Sequence, residues 1–512
     1  MKSIAMSWNL IAFSTLLAFV TSVVGCGSEE PVISPEPAAE QVATEKHAKQ
    51  ESNLQISVIV PEPSETSQKS NTTNQPSVET EEKTIPQAQP VFRQSDKRPQ
   101  HDAARLKKFG IQEYSSKHLI LYTDIEEKLA KPLPELIDRA YAAWVDYFGP
   151  LPPSRERAEF QMTAYLMDDQ DRFQQAGLIP LELPTFINGR HRGQELWMNN
   201  QKHDYYRRHL LIHEATHCFM TIVKEEVDAP VWYLEGMAEL FGTHRYLKDG
   251  NVQFRVMPDN QEDFVGFGRI RMLQEELKTA GGLSLDAVSE LSANDFLDNI
   301  CYAWSWALCE FLNANPRYAK KFQQLGRDQV TGTFANVFQE QFRTDLANLR
   351  AEWPFFIFNI TAGFDFGRAA IDFETGDFVP ADKEIPSQEI TANRGWQPSG
   401  WLIEKGKTYR ITASGRFRLA EKPKPWISEP QGISIRYHNG QPVGRLLATI
   451  QSSQAPTNAA QIHAPIIFAV GNELRFQATE SGTIYFRLND YWNELEDNLG
   501  TVSVRIQQET KQ

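Results

Sequence analysis

The 512-residue chain carries 52 Lys and Arg against 66 Asp and Glu, a formal net charge of −14 at pH 7. So acidic a chain lacks the positive field that holds a phosphate backbone, which excludes nucleic acid as its partner. Four cysteines in this length exclude a disulfide-built scaffold.

The N-terminus reads as an address. Lys2 precedes an uncharged apolar run from Leu10 to Val24, too short to span a bilayer stably and suited to a signal peptide. The run ends Val23-Val24-Gly25-Cys26, which resembles a bacterial lipobox. Residues 1–25 are therefore expected to be removed, with Cys26 lipidated and the protein held on the outer side of a bacterial membrane, periplasmic or cell-surface. Residues 27–90 contain no Phe, Trp or Tyr and carry 11 Glu against 4 Lys. Such a segment buries too little apolar surface to offset its ordering entropy, so 26–105 is expected to be a disordered acidic tether. The basic residues Lys97, Arg98, Arg105, Lys107 and Lys108 mark its solvated end.

From residue 106 the chain reads as globular, and about 400 residues are too many for one core. In 106–365, HLILYT (118–123) predicts a strand and LPELIDRAYAAWVDYFG (133–149) an amphipathic helix. ELWMNNQ (195–201) predicts a strand, either at a sheet edge or inside it. After a linker at 366–384, short β-type runs punctuated by Gly and Pro predict an all-β domain over 385–510. The expected fold class is α+β and multidomain.

The chemistry centres on RRHLLIHEATHCFM, residues 207–220. Apolar spacing predicts a helix, on which His213 and His217 lie four residues apart and project to one side. Two imidazoles so placed can bind one ion. Glu214 lies beside the first, where its carboxylate can reach an activated water without being a ligand. His209 continues the stripe one turn earlier, but 80° of total rotation suits packing or a supporting role better than a single tetrahedral site. APVWYLEGMAELFGTHRY (229–246) follows, with Pro230 placed to start a second helix and Glu235 and Glu239 one turn apart on it.

HEATH…WYLEGMAEL resembles the gluzincin metallopeptidases, whose His-Glu-x-x-His helix is followed by one carrying Glu-Gly-x-Ala-Glu. Seventeen residues separate His217 from Glu235, within the family's range. The resemblance implies a mainly helical zincin-like domain with Zn²⁺ held by His213, His217 and Glu235. It also implies Glu214 as general base and Glu239 orienting a ligand histidine. Such enzymes often carry an oxyanion-stabilising Tyr or His; Tyr302, in NICYAWSWALCEFL (299–312), is the candidate, with His244 and Tyr246 competing.

Residues 390–506 carry a second resemblance, through ITANRGWQPSGWLIEKGKTYRITASG, EPQGISIRY, VGNELRF and LNDYWNELEDNLGTVSVRI. Together these look like the galactophilic lectin A β-sandwich, of jelly-roll or lectin-like kind. It implies Asp490, Asp497 and Asn498 as candidate Ca²⁺ ligands, with Asp497 standing where the lectin has an asparagine. The lectin's tyrosine ligand falls near Leu419, and its His-Pro-Asp-Gln sugar contact has no counterpart, so galactose binding does not carry over. A glycan remains a candidate ligand of this domain. Two functions are thus in view: a lipid-anchored zinc metallopeptidase acting on peptides or proteins, or a surface carbohydrate- or ligand-binding lipoprotein with an inactive zincin domain.

Overall fold

The computed structural model describes residues 91–512 apart from 223–228, 331–336, 382–384, 453–459 and 510–512. The expected signal peptide, Cys26 and nearly all of the tether lie outside the described residues.

A five-stranded sheet opens the described chain: β1 (Gln112–Ser115), β2 (Leu119–Thr123), β3 (Met162–Met167), β4 (Gly189–Arg192) and β5 (Glu195–Asn199), in the spatial order β1-β2-β3-β5-β4. The three inner strands run parallel and both outer strands antiparallel to them. β3 is buried along its whole length because both faces are covered. Met162, Ala164 and Leu166 enter the large helical core, while Tyr165 and Met167 join a smaller cluster with Phe173 and Trp197. β5, the ELWMN run, is an inner strand; the edge belongs to β4, whose sequence GRHR has no apolar alternation to announce it.

The helices follow. α1 (Leu133–Phe148) lays Leu136, Ile137, Ala140 and Trp144 on the sheet. α2 (Asp204–Met220) carries the histidines and is buried almost throughout. α3 (Val231–Gly242), capped by Pro230, packs against α2 and against α5 (Asn299–Ala314). Gly236 permits that approach, since a Cβ there would come within 2.5 Å of Cys309 Sγ and the Ser305 carbonyl. α4 (Arg269–Thr279) lies on α5, and α6 (Leu346–Ile357) brings Trp353 and Phe356 to the same core.

Beyond β6 (Gly282–Leu283) and β7 (Asp377–Phe378), two sheets form the C-terminal part. β8 (Gln388–Thr391), β9 (Gln397–Ile403), β10 (Thr408–Ser414), β11 (Gln431–His438), β12 (Gln441–Ser452), β13 (Gln461–Ile462), β14 (Glu473–Gln477), β15 (Gly482–Leu488) and β16 (Thr501–Glu509) follow in chain order. One sheet runs β8-β16-β10-β14 and the other β11-β12-β15-β9-β7, with Ile467–Ala469 added beside β12. Alternate residues face a shared core: Tyr409, Ile411 and Ala413 from β10, Val502, Val504 and Ile506 from β16, and Ile484, Phe486 and Leu488 from β15.

β15 is nevertheless buried at every position. Its other face belongs to the helical region: Tyr485, with Trp396, Leu447, Trp492 and Leu495, lies in the helical core. Phe355 meets Trp396 at 5.6 Å between ring centroids and Phe364 stacks on Trp492 at 5.3 Å. β13 pairs with β6. The stretch read as a linker is packed as well, with Phe366, Ala370 and Ile371 buried. The described residues cluster as one unit.

Candidate metal centre

α2 and α3 bring the motif residues together. His213 Nε2 and His217 Nε2 lie 3.2 Å apart, and Glu235 Oε2 lies 3.3 and 3.2 Å from them. Donors bound at about 2.0–2.1 Å at tetrahedral angles are about 3.3–3.4 Å from one another. The three atoms thus have the size of one face of a zinc tetrahedron. Borderline imidazole nitrogens with one carboxylate oxygen also suit that ion.

The surrounding charges favour a dication. Glu214, Glu235 and Glu239 are three carboxylates in one largely buried cluster, and Arg269 is the guanidinium that bonds one of them, donating to Glu239 from Nη2 at 2.8 Å and Nε at 3.0 Å. Two negative charges remain. The same field draws protons. Burial opposes charge on His213, but hydrogen bonds to Glu235 and Glu239 outweigh it and push its pKa up to about 10. Burial also opposes charge on Glu235, yet His217 and His213 hold it well below the usual carboxylate range. A metal cation bound by these donors would displace that proton.

Glu239 stands behind the triangle. Its Oε1 lies 3.4 Å from His213 Nδ1 and its Oε2 lies 3.3 Å from His209 Nε2. His209, buried and stacked on Tyr206, faces Glu239 instead of the ligand triangle. Sequence reasoning missed Arg269, which comes from α4, thirty residues beyond Glu239 and outside any motif.

β4 walls the site on the other side. His191 stacks on His217 with ring centroids 4.6 Å apart, and its Nδ1 lies 3.7 Å from Glu214 Oε2. Gly189 lies directly against Glu214; a Cβ there would overlap that carboxylate. A cleft of about 450 Å³ opens beside His213 and Glu214, bounded by β4, by Arg269 and by the start of α5. Tyr302 lines it, its ring centroid 6.3 Å from that of His213. Burial, then the charges of Glu235, Glu214 and Glu239, push the Tyr302 hydroxyl well above its ordinary range, keeping it a donor. Its competitors stand elsewhere. His244 donates from Nδ1 to the Gly242 carbonyl and accepts from Arg208, and burial lowers its pKa to about 3. Tyr246 lies under the Arg208 guanidinium.

The lectin-like loop is arranged differently from the expectation. Asp490 and Asn498 do meet, but Asn498 Nδ2 donates to Asp490 Oδ2 at 2.9 Å, so an N–H donor, not an oxygen, faces the carboxylate. Asp497 turns away and accepts from the Glu421 amide at 3.1 Å. A calcium cage needs several convergent oxygens, and of the three residues Asp490 and Asn498 are the pair that meets. Asp490 is held in the protein instead, its pKa pushed up to about 6 by burial.

No protein-family model matches this chain, and no curated protein does. Among solved structures it is similar to the EclA N-terminal domain, a PllA-like lectin, at 23% identity over 25% of this chain and 98% of that one, with a TM-score of 0.19. It is also similar to the Aeromonas hydrophila protein PliG, a periplasmic inhibitor of g-type lysozyme, at 11% identity over 27% of this chain and 97% of that one, with a TM-score of 0.15.

Proposed function

We propose that this chain is a zinc-dependent metallopeptidase, exported and held at a bacterial membrane through lipid on Cys26. The observation that carries the reading is the 3.2–3.3 Å triangle of His213, His217 and Glu235 with Glu214 beside it on an open cleft. Neither half suffices alone: a metal triangle without a neighbouring base would be structural, and a buried glutamate without the triangle would be an isolated charge. Among the described residues no helix is long and apolar enough to cross a membrane.

A zinc ion in this triangle supplies Lewis-acid chemistry, acidifying water and polarising a carbonyl. The remaining work falls to the chain's own groups. Glu214 takes the proton from the attacking water and delivers it to the leaving nitrogen, so one carboxylate serves as base and then acid. Tyr302 donates a hydrogen bond to the developing oxyanion. Glu239, fixed by Arg269, faces His213 Nδ1 at 3.4 Å and so favours the tautomer that leaves the Nε2 lone pair free for a metal. β4, an edge strand beside Glu214, offers its free backbone groups to an extended substrate.

Glu214→Gln tests the assignment. The variant should keep its zinc, because Glu214 is not a ligand, while peptide hydrolysis falls by about 10² or more. Loss of zinc, or hydrolysis at the wild-type rate, would overturn the role given to Glu214.

A further inference from the structure

β4 reads Gly-Arg-His-Arg, without the β-branched or bulky apolar residues that favour strands. Side chains alternate along a strand, so positions 189 and 191 share one face and positions 190 and 192 the other. Arg192 turns away from the metal centre: its guanidinium lies over the Trp197 ring, 5.6 Å from the centroid, and donates to Glu182 at 3.0 Å. Gly189 and His191 turn to Glu214.

These two positions meet different oxygens of one carboxylate. A Cβ at Gly189 would come within 2.4 Å of Glu214 Oε1, so glycine is what leaves the carboxylate its place. His191 Nδ1 lies 3.7 Å from Glu214 Oε2, and its ring stacks on His217 with the two planes 17° apart. The stack holds the imidazole, and a small movement brings Nδ1 into hydrogen-bond range, as catalytic contacts tighten when substrate arrives. A glutamate reaching into a cleft turns about several bonds, and holding one orientation costs entropy that some contact must offset. A base has to present one oxygen to a water whose position the metal sets, and a misplacement of about 1 Å costs about a hundredfold in rate.

We infer that Gly189 and His191 together aim the base: Gly189 gives the Glu214 carboxylate its room, and His191, packed on His217, donates from Nδ1 to Oε2 and leaves the other oxygen to take the proton from water. His191 is thus a positioning residue that acts through Glu214. This rests on the peptidase reading above and adds to it the residues that orient its base.

The test measures zinc content, kcat and KM of the full-length zinc-loaded protein on the member of a quenched-fluorescent decapeptide library that the wild type cuts fastest. His191→Phe keeps an aromatic ring on His217 and removes the donor. It should hold about one zinc per chain and lower kcat by about 10- to 100-fold, with KM within about twofold of wild type. His191→Asn, which returns an N–H near the place of Nδ1, should recover most of that loss. Gly189→Ala displaces the carboxylate from its other side and should also lower kcat with zinc retained. In a Glu214→Gln chain, adding His191→Phe should change kcat by less than about twofold, because the base it positions is already gone. Zinc lost from His191→Phe would make His191 a prop for His217 and overturn the inference. An unchanged kcat, a rise in KM alone, a loss that His191→Asn does not recover, or a loss that multiplies with that of Glu214→Gln would each overturn it too. No cleavage of any peptide by the wild type sinks the peptidase reading and this inference with it.

Discussion

Replacing Arg269 by Met separates what the buried ion pair does for stability from what it does for the metal. Arg269 is 8% exposed and Glu239 2%, and two hydrogen bonds of 2.8 and 3.0 Å join them. Methionine fills much of the same volume but leaves the Glu239 carboxylate without its cation. A unit charge pair at this range is worth about 4 kcal/mol at an effective dielectric of 20, and removing one partner of a buried pair typically costs about 3–5 kcal/mol. Denaturant unfolding of the metal-free protein should therefore show a loss of about 4 kcal/mol. Adding Glu239→Gln to the same chain should recover most of that loss, because no buried charge is then left unpaired. The double variant should still bind zinc about 10- to 100-fold more weakly, since the group that orients His213 through Nδ1 is no longer an anion. A single variant that loses less than about 1 kcal/mol, or a double variant no more stable than the single one, would refute this account of the pair.

A chain ended at residue 380 removes Trp396, Tyr485 and Trp492 from the helical core they share with Phe355 and Phe364. Each large buried aromatic contributes about 3–5 kcal/mol, so the shortened chain should melt far lower or aggregate. An unchanged melting temperature would mean the two parts fold independently. Burial raises the Asp490 pKa from 3.8 to about 6. The folded protein then holds this proton more tightly than the unfolded chain, so stability is lost as pH rises from about 4 to about 6 and is level above. Asp490→Asn should accordingly be more stable than wild type at pH 8, by up to about 3 kcal/mol, with the advantage gone near pH 4. Parallel pH–stability curves for the two proteins would contradict that assignment.

The grouping of His213, His217 and Glu235 was legible because its spacing is a property of helices. Four residues between histidines fix their relative direction on α2, and Glu235 follows at an interval that one turn back into α3 can span. The sandwich strands were legible for a similar reason: Tyr409, Ile411 and Ala413 alternate with exposed neighbours. β4 escaped because GRHR has neither alternation nor β-branched residues; it is a strand only because β5 pairs with it. Arg269 escaped because a buried arginine looks like a surface one in sequence until its carboxylate partner is known. The arrangement of the lectin-like loop was not legible. Asp490, Asp497 and Asn498 share one short segment, but Asp497 accepts from the Glu421 amide while Asn498 bonds Asp490. Proximity in sequence sets no side-chain direction in an irregular loop.

The central claim is that His213, His217 and Glu235 form a zinc site, and the zinc content of the purified full-length protein tests it most directly. Elemental analysis should find about one zinc per chain in the wild type and a substoichiometric amount in Glu235→Ala, where two imidazoles alone leave the ion too few protein ligands. Zinc absent from the wild type, or present equally in both proteins, would contradict it.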